Sequence, residues 1–139
     1  MIWRLKEKAK DILSNEIGTL FKEASLRVAL VYPNTYEIGT SNLGFQLIYR
    51  ILNSITNISA ERVYLPDSED IKLYEMGEDL FSLESQRQIG EFDAIAFSIP
   101  FEGDYINVLK ILELSKIPFR SLDRGEDYPL VIAGGMATL

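Results

Sequence analysis

The stretch Leu26-Arg27-Val28-Ala29-Leu30-Val31-Tyr32-Pro33-Asn34-Thr35-Tyr36-Glu37-Ile38-Gly39-Thr40-Ser41-Asn42-Leu43-Gly44 decides the fold. From Leu26 to Tyr32 it is almost continuously apolar, with β-branched residues, as a strand covered on both faces must be. Pro33 lacks the N–H that a ladder needs and stops the strand. Asn34 to Asn42 is a polar loop carrying Gly39. From Leu43 to about Ser54 the apolar residues Phe45, Leu47, Ile48, Ile51, Leu52 and Ile55 recur at helical spacing, with Ser41 or Asn42 placed as N-cap. A buried strand, a polar loop and an amphipathic helix in that order open a βαβ unit.

The same alternation continues downstream. Glu61-Arg62-Val63-Tyr64-Leu65 reads as a strand ended by Pro66. Asp67 or Ser68 caps a short helix through Met76, with Gly77 at its C-terminal end. Leu80 to Leu83 reads as a short strand near a sheet edge. Ala94 to Ser98 is a buried strand stopped by Pro100. A helix spans about Asp104 to Lys116, with Asp104 as N-cap and Tyr105, Val108, Leu109 and Leu112 toward the core. Leu130 to Ala133 is the last strand, closed by Gly134-Gly135.

Ahead of all this, Ile2 to about Leu13 forms an amphipathic helix with Leu5, Ala9, Ile12 and Leu13 on one face. Docking on its own domain is the simpler expectation for it. The sequence therefore divides into an N-terminal helical extension, residues 1–25, and an α/β domain, residues 26–139. The fold class is α/β, Rossmann/flavodoxin-like and doubly wound, with a mostly parallel sheet of about five strands. Such a sheet normally continues into another covering helix after its last strand. None follows Gly135, so the domain is expected to be truncated at its C-terminal end, a module of something larger.

Composition narrows the function. The chain has 139 residues, 47% of them hydrophobic, which suits one domain with a sizeable core. A formal net charge of −7 disfavours nucleic acid and anionic membrane surfaces as partners. There is no cysteine and no histidine. That removes thiolate nucleophiles, Fe–S and zinc-thiolate ligands, the usual general base near neutral pH and the commonest metal ligand. This chain alone is not expected to be an enzyme. The start is charged too early for a signal peptide, and no apolar run is long enough to cross a bilayer, so a soluble cytoplasmic protein is the default.

Ligands of open parallel sheets bind beyond the carboxyl ends of the strands. Three loops qualify. The first, after Tyr32, offers hydroxyls, amides and two glycines just before a helix N-terminus, which favours an anion. Gly39 and Gly44 have P-loop spacing, but Phe45 and Gln46 stand where Lys and Ser/Thr would be needed, which argues against a nucleoside triphosphate. The second runs from Ser98 to Asp104, and the third is Gly134-Gly135, where the backbone can approach a ligand closely.

Taken together and in order, these loops resemble a known family, the N-terminal cobalamin-binding-like domain that precedes the catalytic barrel in a group of radical SAM proteins. The resemblance is carried by Tyr32-Pro33-Asn34-Thr35-Tyr36-Glu37-Ile38-Gly39, Ser41-Asn42-Leu43-Gly44, Glu61-Arg62-Val63, Leu83-Glu84-Ser85, Phe97-Ser98, Asp123-Arg124 and Val131-Ile132-Ala133-Gly134-Gly135. It implies a cobalamin, or a related ligand, at a site lined by Asn34, Thr35, Tyr36, Gly39, Ser98, Gly134 and Gly135. Cobalamin domains at large carry Asp-x-His-x-x-Gly after the first strand. Here Asn34 replaces the Asp and Tyr36 the His, so the resemblance implies either cobalamin held without a histidine ligand or a pocket that no longer binds it. The 4Fe-4S cluster and S-adenosylmethionine of the family would belong to a C-terminal part outside these residues, and the radical SAM catalytic domain of the same parent chain would be the partner. Two alternatives stand beside this: a flavodoxin-like module holding a flavin or phosphate at Thr40, Ser41 and Asn42, and a ligand-free scaffold that packs on the catalytic barrel.

Overall fold

A computed structural model describes residues 2–138. Four strands form one sheet: β1 (Leu26–Tyr32), β2 (Ile58–Tyr64), β3 (Ala94–Ser98) and β4 (Leu130–Gly134). They are ordered β2-β1-β3-β4, and every pairing is parallel. The helices are α1 (Ile2–Ser14), the short α2 (Tyr36–Thr40), α3 (Leu43–Ser54), α4 (Ser68–Glu75) and α5 (Tyr105–Leu114). This is the expected doubly wound α/β architecture with its N-terminal helix.

The sheet separates two cores. On one side Val28, Leu30 and Tyr32 of β1 and Ala60 of β2 pack under Phe45 and Tyr49 of α3. On the other, Ala29, Val31, Val63, Ile95 and Phe97 pack with Ile111, Leu112 and Leu114. Leu5 and Ala9 of α1 are buried in that second core, so the N-terminal helix docks on its own domain. Asn42 caps α3 as expected, its side chain accepting from the Phe45 N–H at 2.9 Å. Gly77 takes a φ of +123°, the left-handed conformation that ends a helix.

Several local expectations are corrected. Leu80 to Leu83 is not a strand of the sheet; Phe81 makes an isolated antiparallel bridge to Gln88. The segment does run along the free edge of β2, where the Leu83 N–H donates to the Arg62 carbonyl at 2.8 Å. The Arg62 N–H then donates to the Glu84 carboxylate at 2.9 Å, not to a backbone carbonyl, so no ladder propagates. The sheet thus has four strands and not five. β2 begins at Ile58, ahead of the expected Glu61. Asp67 precedes α4 but makes no cap bond, because its carboxylate accepts from Lys8 at 2.9 Å.

Asp104 does not cap α5 either. It closes a 3-10 turn, Glu102–Asp104, at φ −83° and ψ −7°, a helical conformation in which a cap is not formed. α5 also turns a different face inward: Ile111, Leu112 and Leu114 are buried, Val108 is half-buried, and Tyr105 and Leu109 are exposed. On α3 only Phe45 and Tyr49 are buried, and Leu47, Ile48, Ile51 and Ile55 of its expected core face stand in solvent.

Gly39 shows why the loop after β1 needs a glycine. A Cβ there would lie 2.7 Å from Tyr64 Cδ1 and 3.1 Å from Tyr32 Cδ1. The Tyr64 ring cannot retreat, wedged edge-on between Tyr36 and Phe45 at centroid distances of 5.2 and 5.6 Å. Gly39→Ala is therefore expected to lower stability by about 1–3 kcal/mol, read as a shift of the urea midpoint with unchanged slope.

Candidate functional site

The strand order reverses between β1 and β3, so the crevice at their carboxyl ends is the place this architecture reserves for a ligand. Asn34, just beyond β1, and Asp104, at the start of α5, meet across it. Asn34 Nδ2 donates to Asp104 Oδ1 at 3.1 Å, and Asn107 Nδ2 donates to the Pro33 carbonyl at 2.9 Å. Asn34 Oδ1 accepts from the Thr35 N–H at 2.8 Å. The crevice is thus bridged by the protein's own amides. Asp104 Oδ2 is buried and has no hydrogen-bond partner among the described residues.

Ser98, Gly134 and Gly135 gather separately, at the ends of β3 and β4. Ser98 sits opposite Gly134 in the register, and the Gly134 carbonyl accepts from the Ile99 N–H at 2.8 Å. Gly135 adopts φ +118°, and a Cβ there would stand 2.5 Å from the Ile99 carbonyl oxygen. Its lack of a side chain serves a close approach between two loops of this chain.

Tyr36 belongs to a third group, beside β2. Its hydroxyl donates to Glu16 Oε2 at 2.6 Å. Glu16, in the connection between α1 and β1, receives Arg62 as a two-point pair, Nη1 at 2.8 Å and Nη2 at 2.6 Å. Arg62 Nε donates to Glu84 Oε2 at 2.7 Å, and Tyr49 donates to the same oxygen at 2.5 Å. The guanidinium also lies over the Tyr49 ring, 4.6 Å from its centroid. This network floors a cavity of about 530 Å³ whose walls include Leu20, Tyr36, Arg50 and Tyr64.

The electrostatics follow from these contacts. Burial pushes Glu16 up, but Arg62 and the hydroxyls of Thr19 and Tyr36 outweigh it and hold the carboxyl below its ordinary 4.5. At Glu84 burial dominates and raises the carboxyl despite Arg62 and Tyr49. Burial opposes the charge of Arg62, but its two carboxylates more than restore it. The Tyr36 phenol is pushed up to about 12, by burial first and then by its hydrogen bond to Glu16. It is a neutral donor tied to a carboxylate, which does not fit the lower-ligand position of a cobalt ion.

Thr40, Ser41 and Asn42 are spent on helix ends. The Thr40 hydroxyl donates to the Tyr36 carbonyl at 2.9 Å, and the Ser41 hydroxyl to the Ile38 carbonyl at 2.8 Å. Asn42 caps α3. The structure therefore distributes the sequence-predicted residues over three places along the carboxyl edge. The Glu16–Arg62–Glu84 network was not among them. Its signal was visible: Glu61 and Arg62 are adjacent charges beside Val63, Tyr64 and Leu65, and buried charges require partners.

A four-stranded parallel sheet with helices on both sides and its loops tied together at the carboxyl edge defines a doubly wound α/β domain. The family model described as radical SAM proteins, N-terminal, matches residues 44–139, and the chain belongs to that family. An uncharacterized protein of Methanocaldococcus jannaschii is 25% identical over 108 residues, which are 78% of this chain and 19% of that protein. The chain thus spans about a fifth of the length of that relative. No solved structure matches it. Among the described residues no helix is long and apolar enough to cross a membrane.

Two measurements check the network. Arg62→Met leaves Glu84 buried without its charge partner and is expected to cost about 3–5 kcal/mol in urea unfolding. The second is a pH profile. Above the ordinary 4.5 Glu16 is ionised in both folded and unfolded chains, and its pairing stabilises in full. As pH falls below that value and through the depressed folded one, the unfolded chain takes the proton first and the contribution is lost. Glu84, raised by burial, works in the opposite sense, so the diagnostic is a difference. The stability advantage of the native protein over Glu16→Gln should be constant above about pH 5.5 and shrink steadily toward pH 3.

Proposed function

We propose that the domain is a non-catalytic scaffold of a radical SAM protein, acting by packing on the catalytic domain of the same protein and not by holding cobalamin or a flavin. One observation carries this reading. Four side chains placed to receive a ligand are engaged within the chain, Asn34 with Asp104, Tyr36 with Glu16, and Thr40 and Ser41 with helix carbonyls, and in the crevice Asp104 Oδ2 is the buried oxygen left without a partner among the described residues. Large apolar side chains of α3, α5 and β4 meanwhile stand exposed. A surface of that composition suits a protein partner better than a small ligand. In this reading the 4Fe-4S cluster and S-adenosylmethionine belong wholly to the catalytic domain, in keeping with a chain that has no cysteine.

Ligand titration tests it. A ligand bound with a dissociation constant near 1 μM and supplied at about 100 μM would stabilise the domain by about 2.7 kcal/mol. For a domain of this size that raises Tm by on the order of 10 °C. Hydroxocobalamin, adenosylcobalamin and FMN are each expected to leave the melting temperature and their own absorbance spectra unchanged. In the longer protein, deletion of residues 1–139 is expected to lower the Tm of the remaining catalytic part. A saturable thermal and spectral response to cobalamin would overturn the scaffold reading.

A further inference from the structure

α3 covers only half of its side of the sheet. In the register Leu130 lies opposite Ala94 and Ile132 opposite Ala96, and these alanines lie beside Val28 and Leu30, which pack under α3. All of these residues therefore face the α3 side. Over β1 that face is closed, but over β4 Leu130 is 65% and Ile132 50% exposed.

The helix turns a matching flank toward this strip. Gln46 and Arg50 face the cavity beside β2, and the Asn53 side chain bonds to Ala60 of β2. At about 100° per residue, the opposite flank of the helix carries Ile48, Ile51 and Ile55. Ile51 is 50% and Ile55 45% exposed. The result is a groove with three isoleucines as one wall and Ala94, Ala96, Leu130 and Ile132 as its floor.

β4 is also an unpaired edge. The Leu130 N–H donates to the Asp93 carbonyl and the Gly134 carbonyl accepts from Ile99, so both residues turn their backbone groups toward β3. Alternation then turns the N–H and C=O of Val131 and Ala133 outward, where no described residue meets them.

We propose that this groove seats an apolar-faced helix and that the β4 edge pairs with a parallel strand, both supplied by the polypeptide following this domain in the radical SAM protein. The proposal rests on the scaffold reading above and names the surface that performs it. A second copy of this chain is a poorer occupant. Two-fold pairing of β4 with β4 would satisfy the edge but bring no helix, leaving Leu130, Ile132 and the isoleucine wall bare in both copies. A right-handed crossover from β4 extends the sheet with its own helix on the α5 side, as the β3-to-β4 connection already does, and the helix that follows the new strand returns over the α3 side into the groove. The relative supplies the length: the matched region is 19% of it, so most of that protein lies outside the part resembling this domain.

Amide exchange tests the proposal on the 139-residue chain and on the longer protein. The Val131 and Ala133 amides are expected to exchange roughly 100-fold more slowly in the longer protein. The double substitution Ile51→Asp and Ile132→Asp should move the Tm of the chain alone by no more than about 2 °C, as exposed sites do. It should lower the Tm of the longer protein by about 5 °C or more. Unchanged exchange at Val131 and Ala133 in the longer protein overturns the proposal. So does protection already present in the chain alone and rising with concentration, which would assign the edge to a second copy. If those amides stay fast while deletion of residues 1–139 still destabilises the catalytic part, the scaffold reading stands and only this docking face falls. If the amides become protected but cobalamin also binds, the face stands and the ligand-free reading falls.

Discussion

The structure depends on a guanidinium placed where a strand would be expected to bury an aliphatic side chain. Arg62 lies within β2, nearly out of solvent, and a charge so placed costs several kcal/mol unless it is matched. Glu84 and Glu16 match it from two distant parts of the chain, with contacts of 2.7 and 2.6 Å. Its neighbour Glu61 points to the other face of the sheet and takes the hydroxyls of Ser82 and Ser85, both at 2.6 Å. Consecutive residues of one strand thus grip the same turn, Ser82 to Ser85, from above and below. The turn is held along the edge of β2 and acts as a strap.

Two consequences follow from that grip. The outer edge of β2 is closed to further strand pairing, because a carboxylate and not a carbonyl receives the Arg62 N–H. The N-terminal segment is also tied to the sheet. Glu16 binds Arg62 directly, and the Leu20 N–H donates to the Tyr49 hydroxyl at 2.9 Å, the same hydroxyl that meets Glu84. α1 is therefore fixed twice, by Leu5 and Ala9 in the core and by the charge network at its exit. Losing either carboxylate would loosen the strap and the N-terminal segment together.

The sequence was legible where the signal is local. Strand β1, its stop at Pro33, the Asn42 cap and the alternation of strands and helices all rest on a few adjacent residues. The failures lie where partners are remote or the pattern is degenerate. α5 carries Tyr105, Ile106, Val108, Leu109, Ile111, Leu112 and Leu114, apolar nearly all round, so periodicity could not choose its inner face. Leu80 to Leu83 has the composition of a strand, and only the Glu84 carboxylate, placed by Arg62, prevents a ladder there. The loop residues were found by architecture, since strand ends in a parallel sheet must gather. Their directions were not readable, because Asn34 is turned by Asp104, seventy residues away, and Tyr36 by Glu16, twenty residues before it.

The two edges of the sheet are handled in opposite ways, and this asymmetry links the fold to its role. At β2 the chain commits a buried ion pair, a strap and an N-terminal segment to sealing the edge. At β4 it commits nothing: Val131 and Ala133 present unpaired backbone groups, and Leu130 and Ile132 present bare side chains. Fully burying a Leu or Ile side chain contributes roughly 1.5–3 kcal/mol, so completing the burial of Leu130, Ile132, Ile51 and Ile55 is worth several kcal/mol even at half exposure. An unprotected edge next to an uncovered apolar face is an aggregation hazard for a domain that stands alone. In a domain that belongs to a longer radical SAM protein the same features become a template. In the docking proposed above, the sealed edge leaves β4 as the side on which the sheet would grow, and the open edge would set the direction of the strand that joins it.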